Sequence, residues 1–179
     1  MNLVATLLLG HLIGDFPLQT NWVYQFKCRS SAGVALHVGI HLSVTALLIH
    51  DPLHHWPVLA ALGLAHFVTD WLKLRFPTAV QTPGFVLDQA AHLAAILLIA
   101  PIASEVAVVL PPALLYPALL YATVPAAMTL LWVFANDLGQ RIEGADDWIQ
   151  LARRQMLSLA QLAGFPLLMA VTIARLKAI

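Results

Sequence analysis

The chain has 179 residues, of which 60% are hydrophobic and only 10% are charged, whereas a soluble domain carries roughly 25% charged residues. Nine Lys and Arg residues balance nine Asp and Glu residues, so the sequence offers no basic surface that would bind nucleic acid. Cys28 is the single cysteine, which excludes an internal disulfide and a paired-cysteine redox or zinc motif. The composition therefore predicts an integral membrane protein.

The apolar stretches, taken in chain order, predict an all-α polytopic membrane helix bundle with about six transmembrane helices. The first apolar run has no Lys or Arg before it, so we expect a retained span and not a cleaved signal peptide. Pro17 is expected to kink this helix, and residues 19–26 are expected to extend it along the membrane interface. The predicted spans cover residues 2–19, 33–50, 57–73, 84–103, 112–135 and 155–175.

The basic residues predict the orientation of these spans. They cluster in the connections after the first, third and fifth spans, and the loops at residues 51–56 and 104–111 contain none. The clustered residues are Lys27, Arg29, Lys73, Arg75, Arg141, Arg153 and Arg154, and only Arg175 and Lys177 depart from the pattern. The positive-inside rule then puts these connections in the cytoplasm and the N-terminus on the opposite side of a membrane that the chain crosses several times.

We predict one membrane domain over residues 1–179. Residues 1–104 would form a four-helix core, and residues 105–179 would add two helices without buried charge, which act as a scaffold or face lipid. The reason for this division is that the polar residues expected inside the membrane all lie in the first four spans.

Four polar pairs, each spaced i, i+4, lie on the first four spans. They are His11 and Asp15, His37 and His41, His66 and Asp70, and Asp88 and His92. An Asp near the centre of a span costs roughly 2.5 to 3.5 kcal/mol if it is unpaired, so something must compensate these residues. The spacing puts both members of a pair on one helical face, and the four pairs are predicted at matching depths of roughly 6 and 12 Å from the cytoplasmic ends.

Imidazole and carboxylate groups are ligands for Zn²⁺, Mn²⁺ and Fe²⁺. We therefore expect a divalent metal, zinc first and manganese or iron as alternatives, with two or three ions near the cytoplasmic face. The predicted ligands are His11, Asp15, His37, His41, His66, Asp70, Asp88 and His92. A bound ion would cancel buried negative charge and activate a water. The alternative is a His and Asp hydrogen-bond network that only joins four helices.

Three further residues are expected at the rim of this cluster, and two of the predicted ligands have an alternative role. Gln19 and Gln89 could orient water or the metal ligands, and Lys73 could hold a substrate phosphate or serve only as a charged anchor at the interface. Asp70 or Asp88 could act as a general base in place of binding metal. Asp70, Asp88 and Lys73 are thus the catalytic candidates.

The motifs around these residues resemble domain of unknown function family 3307, a family of small bacterial inner-membrane proteins. The resemblance covers residues 5 to about 100 and implies a membrane protein whose activity is open. The matching motifs are Leu9-Gly10-His11-Leu12-Ile13-Gly14-Asp15-Phe16 with Gln19, His37-x3-His41, Ala65-His66-Phe67-x2-Asp70-Trp71-x-Lys73, and Asp88-Gln89-x2-His92.

A more distant likeness concerns the inventory of five His and three acidic ligands. It is similar to the ligand sets of zinc-dependent phospholipase C, of P1-type nucleases and of membrane-bound metal-dependent hydrolases. The soluble enzymes also use their N-terminal residue as a ligand, whereas Met1 is predicted on the opposite side of the membrane. The resemblance implies a membrane-embedded metal-dependent hydrolase, specifically a phosphoesterase acting on a lipid or lipid-linked substrate.

Two other functional classes stay open at this stage. A divalent metal ion transporter could use the same His and Asp pairs, although no internal repeat is visible, and a membrane protein could bind metal without catalysis. A bis-His haem carrier is disfavoured by the three buried Asp residues. The expected partners are the lipid bilayer and a lipid or phosphoester substrate, and the oligomeric state is left open.

Overall fold

The part of the chain that this computed structural model describes, residues 2–139 and 164–177, consists of seven helices and their connections. The helices are α1 (Asn2–Asp15), α2 (Asn21–Arg29), α3 (Ser31–Leu48), α4 (Trp56–Arg75), α5 (Gln81–Ile99), α6 (Pro112–Gly139) and α7 (Gly164–Lys177). In these ranges, extended pairing is limited to one isolated bridge between Ile49 and Val108. The fold is therefore all-helical, as predicted.

Three of these helices are long and apolar enough to cross a membrane, namely α3, α5 and α6. α1 is apolar but has only 14 residues, which is about 21 Å at the rise of an α-helix, against ~30 Å of hydrocarbon. α4 has 20 residues and ends in Lys73 and Arg75. These lengths agree with membrane association.

The first predicted span differs from the observed structure, because α1 ends at Asp15 and is not merely kinked. Pro17 cannot donate a backbone hydrogen bond, and Leu18 N instead donates to Ile13 O at 3.1 Å, which closes a turn. α2 then begins as a separate helix, with Thr20 as its N-cap, and packs against α3. The expected interfacial extension of the first helix is thus a distinct helix that returns to the bundle.

Four helices form a ring, in which α1 packs on α3, α3 on α4, α4 on α5, and α5 on α1. α6 covers α1 and α5 from outside the ring. α1 is thus a member of the ring that α6 covers on its outer side, and its apolar residues Leu9 and Ile13 are fully buried with Leu48 and Leu115. The opposite face of α1 is left for polar residues that point into the ring.

Glycines let α1 and α3 approach closely. A Cβ at Gly10 would lie 2.9 Å from Thr45 Oγ1, and one at Gly14 would lie 2.5 Å from Cε1 of the His41 ring. The spacing of these glycines matches the small-residue pattern that brings membrane helices together. The helix contact therefore depends on the same short motif that carries His11.

At the far end of the bundle, the segments that follow α3 and precede α6 are joined by hydrogen bonds. Val109 N donates to Leu48 O and His50 N donates to Ala107 O, both at 2.9 Å. Arg175 of α7 donates to Ile49 O at 2.7 Å, so this basic residue, which departs from the predicted charge pattern, binds a helix end. Outside the described residues lie residues 155–163 of the predicted span 155–175 and three basic residues, Arg141, Arg153 and Arg154.

Candidate metal centre

The structure brings all eight predicted ligands together inside the ring of α1, α3, α4 and α5. Each of the four helices contributes two of them, and every one is buried. The residues are His11, Asp15, His37, His41, His66, Asp70, Asp88 and His92. They lie toward the end of the bundle where α1 and α4 finish and α3 and α5 begin. Seven of them, all but Asp70, form three overlapping groups that could hold a metal ion, and within each group the ligand atoms lie within 4.8 Å of one another.

The most complete group consists of Asp15, His37, His41 and His66. The Nε2 atoms of His37 and His41 each lie 3.0 Å from Asp15 Oδ1, and His66 Nε2 lies 3.6 Å from the same oxygen. In a tetrahedral zinc site with bonds of 2.0–2.1 Å, neighbouring ligand atoms are about 3.3 Å apart. The three distances from Asp15 Oδ1 to the imidazole nitrogens are close to this spacing.

The other two groups share residues with the first. One contains His11, His66 and His92, and the other contains Asp15, Asp88 and His92. The ring centroids of His66 and His92 are 4.0 Å apart, and those of His11 and His92 are 4.8 Å apart. Because Asp15, His66 and His92 each belong to two groups, neighbouring ions would have to share ligands.

Several buried ligand atoms have no hydrogen bond to any described residue. His66 Nε2, His92 Nε2 and Asp88 Oδ1 are in this state. His92 Nε2 lies 3.5 Å from Asp88 Oδ1, and His66 Nε2 lies 3.3 Å from Asp70 Oδ2. Buried polar atoms are normally hydrogen-bonded, so these atoms are suited to an additional electrophilic partner such as a metal ion.

Two of the three carboxylates form ion pairs with lysines. Lys27 Nζ lies 2.7 Å from Asp70 Oδ1, and Lys73 Nζ donates to Asp88 Oδ2 at 2.7 Å. The Lys73 side chain is 40% exposed, whereas the Lys27 side chain is only 9% exposed. Among the described residues, no Lys or Arg pairs with Asp15.

Lys27 is the site residue that sequence reasoning missed, since its charge was assigned to a cytoplasmic loop. The helix α2 carries it back against α3, and Gln19 Oε1 accepts a hydrogen bond from its Nζ at 3.2 Å. The polar pattern around Thr20 and the break at Pro17 were the available signals of a separate helix.

The two glutamines have different positions. Gln89 lies among the ligands, where its Nε2 donates to Asp15 Oδ2 at 2.8 Å and to Asp88 Oδ2 at 3.3 Å, and its Oε1 lies 3.1 Å from His11 Nε2. Gln19 contacts Lys27 instead. Gln89 therefore joins three ligands, and Gln19 acts on the centre only through the lysine.

A cavity of about 40 Å³ adjoins the histidines on the side away from the carboxylates. His11, His41, His66 and His92 form its polar wall. Its remaining wall comes from Leu42, next to His41, and from residues about one helical turn further into the bundle, namely Leu7, Thr45, Leu62, Gly63, Ala95 and Ile96. The cavity is large enough to hold at least one water molecule.

Among curated proteins and solved structures, none matches the chain. A family model described as a protein of unknown function, DUF3307, matches residues 3–115. The matched region is more than half of the chain and contains every ligand of the candidate metal centre. The chain belongs to this family, DUF3307.

Proposed function

We propose that the protein is a membrane-embedded metal-dependent hydrolase that cleaves a phosphoester on a lipid or lipid-linked substrate. The observation that carries the proposal is the convergence of three imidazoles on Asp15 Oδ1 at the spacing of metal ligands. Two lysines beside the same cluster supply positive charge for a phosphate. Such a constellation suits metal-assisted hydrolysis better than nucleophilic catalysis by a side chain.

We further propose that zinc is the resident ion, with manganese or iron as alternatives, and that two or three ions bind. The group of Asp15, His37, His41 and His66 would be filled first, because it offers four ligands and a carboxylate without a lysine partner. Further ions would bind at the groups that contain His11, Asp88 and His92. Gln89 would orient three of these ligands through its amide.

The ions would polarise the phosphoryl oxygens and activate the attacking water. Lys73 lies partly exposed at the cluster, where its ammonium group can leave Asp88 and hold a phosphoryl oxygen. Asp88 or Asp70 can then accept the proton of the attacking water. The ligands are all buried, which strengthens each of these interactions.

The proposed setting is a multi-pass protein of the bacterial inner membrane with six spans and its N-terminus outside. Lys27, Lys73 and Arg75 lie at the same end of the bundle as the metal ligands, which supports a centre near the cytoplasmic face. A lipid substrate could then present its headgroup from the inner leaflet.

The test is phosphate release by purified protein loaded with zinc, in mixed micelles that contain a phosphate monoester or diester lipid. We expect release to stop in His66→Ala and to continue in Asp51→Asn, a control that removes a carboxylate from an exposed loop. Zinc-loaded protein that releases no phosphate from any member of such a panel would contradict the proposed reaction.

Transport of a divalent metal is the second candidate, and the cavity next to the histidines favours it. This cavity extends the centre toward the middle of the bundle, the direction that an ion would take to cross the membrane. Zinc uptake into proteoliposomes, abolished by His92→Ala, would support transport. Retention of zinc without uptake would favour the hydrolase.

A further inference from the structure

We infer that the metal-loaded centre is a binding site for a phosphoryl oxyanion, and that Lys27, delivered by α2, is the residue that binds this anion. The inference rests on the proposed function, which already names a phosphoester as the substrate, and adds the residue that binds its phosphoryl group. It begins with the position of Lys27. Lysine is almost never buried unless it is paired, and here the ammonium group reaches Asp70 from a helix outside the ring.

Local structure holds α2 in the position that buries Lys27. Ser30 ends α2 and begins α3, and its Oγ accepts a hydrogen bond from Gly33 N at 3.0 Å. Gly33 lies directly against the backbone of Phe26 and Lys27, where an added Cβ would overlap both residues. The close approach of α2 to α3 therefore requires glycine at this position.

The charges of the centre do not balance once metal is bound. Three carboxylates and two ammonium groups leave one net negative charge when the imidazoles are neutral, as metal ligation requires. One divalent ion converts this into one net positive charge, and each further ion adds two. Buried charge without a partner is costly, so the loaded centre needs an anion.

The Lys27 ammonium group keeps a donor for such an anion. Of its three N–H donors, one is directed to Asp70 Oδ1 and one to Gln19 Oε1, which leaves the third. Lys73, which is paired with Asp88 and partly exposed, is a second cation at the rim. A tetrahedral phosphoryl group has enough oxygens to contact the ions and an ammonium group together. This excess positive charge suits a centre that binds an anion better than it suits a transporter that releases its metal ion.

The first test measures inorganic phosphate binding by calorimetry to the full protein in detergent, with and without zinc, after the zinc content has been determined. We expect phosphate to bind only to the zinc-loaded protein. Equal phosphate binding with and without zinc, or no binding to the loaded protein, would overturn the inference while leaving the metal centre in place. A wild-type protein without zinc would overturn the proposed function as well.

Variants then assign the role of Lys27. Lys27→Met should weaken phosphate binding about 10- to 100-fold, which is the usual value of a hydrogen bond to a charged group, and should keep its full zinc content. Lys27→Arg should keep most of the phosphate affinity, and Arg29→Met, which removes an exposed charge from the same helix, should change nothing. Unchanged phosphate affinity in Lys27→Met would show that Lys27 only compensates the charge of Asp70 and does not bind the anion, which would overturn the inference.

Gly33→Ala is a second test of the position of Lys27, and it leaves every charge in place. The added Cβ should displace α2 and weaken phosphate binding as Lys27→Met does, without loss of zinc. Loss of zinc from both variants would show that Lys27 supports the ligands and does not bind the anion. To identify the source of the phosphoryl group, phosphate binding is measured in micelles that contain phosphatidic acid and in micelles that contain phosphatidylcholine. Weaker phosphate binding in the phosphatidic acid micelles would show that the lipid headgroup occupies the site, and equal binding would favour free phosphate.

Discussion

At the scale of single residues, the convergence of the His and Asp residues was predictable from their spacing alone, and the contacts of the residues around them were not. An i, i+4 pair on an apolar helix indicates which face its side chains share, and four such pairs indicate a common centre. Nothing in a linear pattern shows that Gln89 joins His11, Asp15 and Asp88 across the bundle. Likewise, Lys27 has the sequence context of a surface charge and becomes a site residue only through the return of α2.

Replacement of Gln89 by leucine should weaken zinc binding about 10- to 100-fold, the usual effect of losing a group that orients metal ligands. The amide donates to two carboxylates, so its loss leaves Asp15 and Asp88 less well oriented. The measurement is a zinc competition titration with a chelator, and Gln25→Leu on the exposed face of α2 is the control. Equal zinc affinity in the two variants would remove Gln89 from the centre.

The contact of Gly14 with His41 gives a second residue-scale prediction. Gly14→Ala should lower the unfolding free energy by about 1 to 3 kcal/mol, as overpacking does, and should reduce zinc content because the His41 ring must move. Gly39→Ala is the matched control, because a Cβ there meets nothing within 4 Å. Thermal unfolding in detergent and zinc analysis measure both effects. A Gly14→Ala protein with normal stability and zinc content would contradict the close packing of α1 on α3.

At the scale of helices, the existence of most elements followed from the apolar runs, and the ends of the helices depended on contacts. Pro17 was recognised as a disruption, yet whether a proline kinks or ends a helix depends on where the following residues pack. The start of α5 shows the same limit. Its backbone amides at Gln81 and Thr82 donate to the carboxylate of Asp137, which belongs to the end of α6.

This cap between two helices leads to a prediction about stability. Asp137→Ala should lower the free energy of unfolding by about 1 to 2 kcal/mol, since two amides at the N-terminus of α5 and the Thr82 hydroxyl lose their acceptor. Asn136→Ala, which removes only the 3.3 Å hydrogen bond from Nδ2 to Gln81 Oε1, should have a smaller effect. Thermal unfolding in detergent compares the stability of the two variants. An equal loss of stability in both would argue against the cap.

At the scale of the whole molecule, the alternation of basic and neutral connections predicted which ends of the helices lie together, and the ring agrees with it. Lys27 and Lys73 lie at the end that carries the candidate metal ligands, and the segment after Ile49 lies at the other end. The ring itself was not predictable in detail, because the order of packing depends on glycines such as Gly14 and Gly63, which contact neighbouring helices. Hydropathy predicts which segments are apolar helices, whereas the order in which the helices pack depends on the fit of their side chains.

The proposed orientation can be tested with the exposed native cysteine Cys28. A membrane-impermeant maleimide should label Cys28 from the cytoplasmic side only, because this residue lies on α2 at the basic end of the bundle. In a Cys28→Ser background, a cysteine substituted for the exposed Leu53 should be labelled from the opposite side only. Labelling of both positions from one side would contradict the proposed topology.

The central claim is that the buried His and Asp cluster holds metal, and elemental analysis of the detergent-purified protein tests it most directly. The account predicts two or more zinc or manganese ions per chain, lost in His66→Ala and Asp88→Ala. Circular dichroism of both variants would show whether they remain helical and folded. Wild-type protein that contains no metal and unfolds at the same temperature with and without chelator would contradict the account, and would leave the cluster as a polar network that joins four helices.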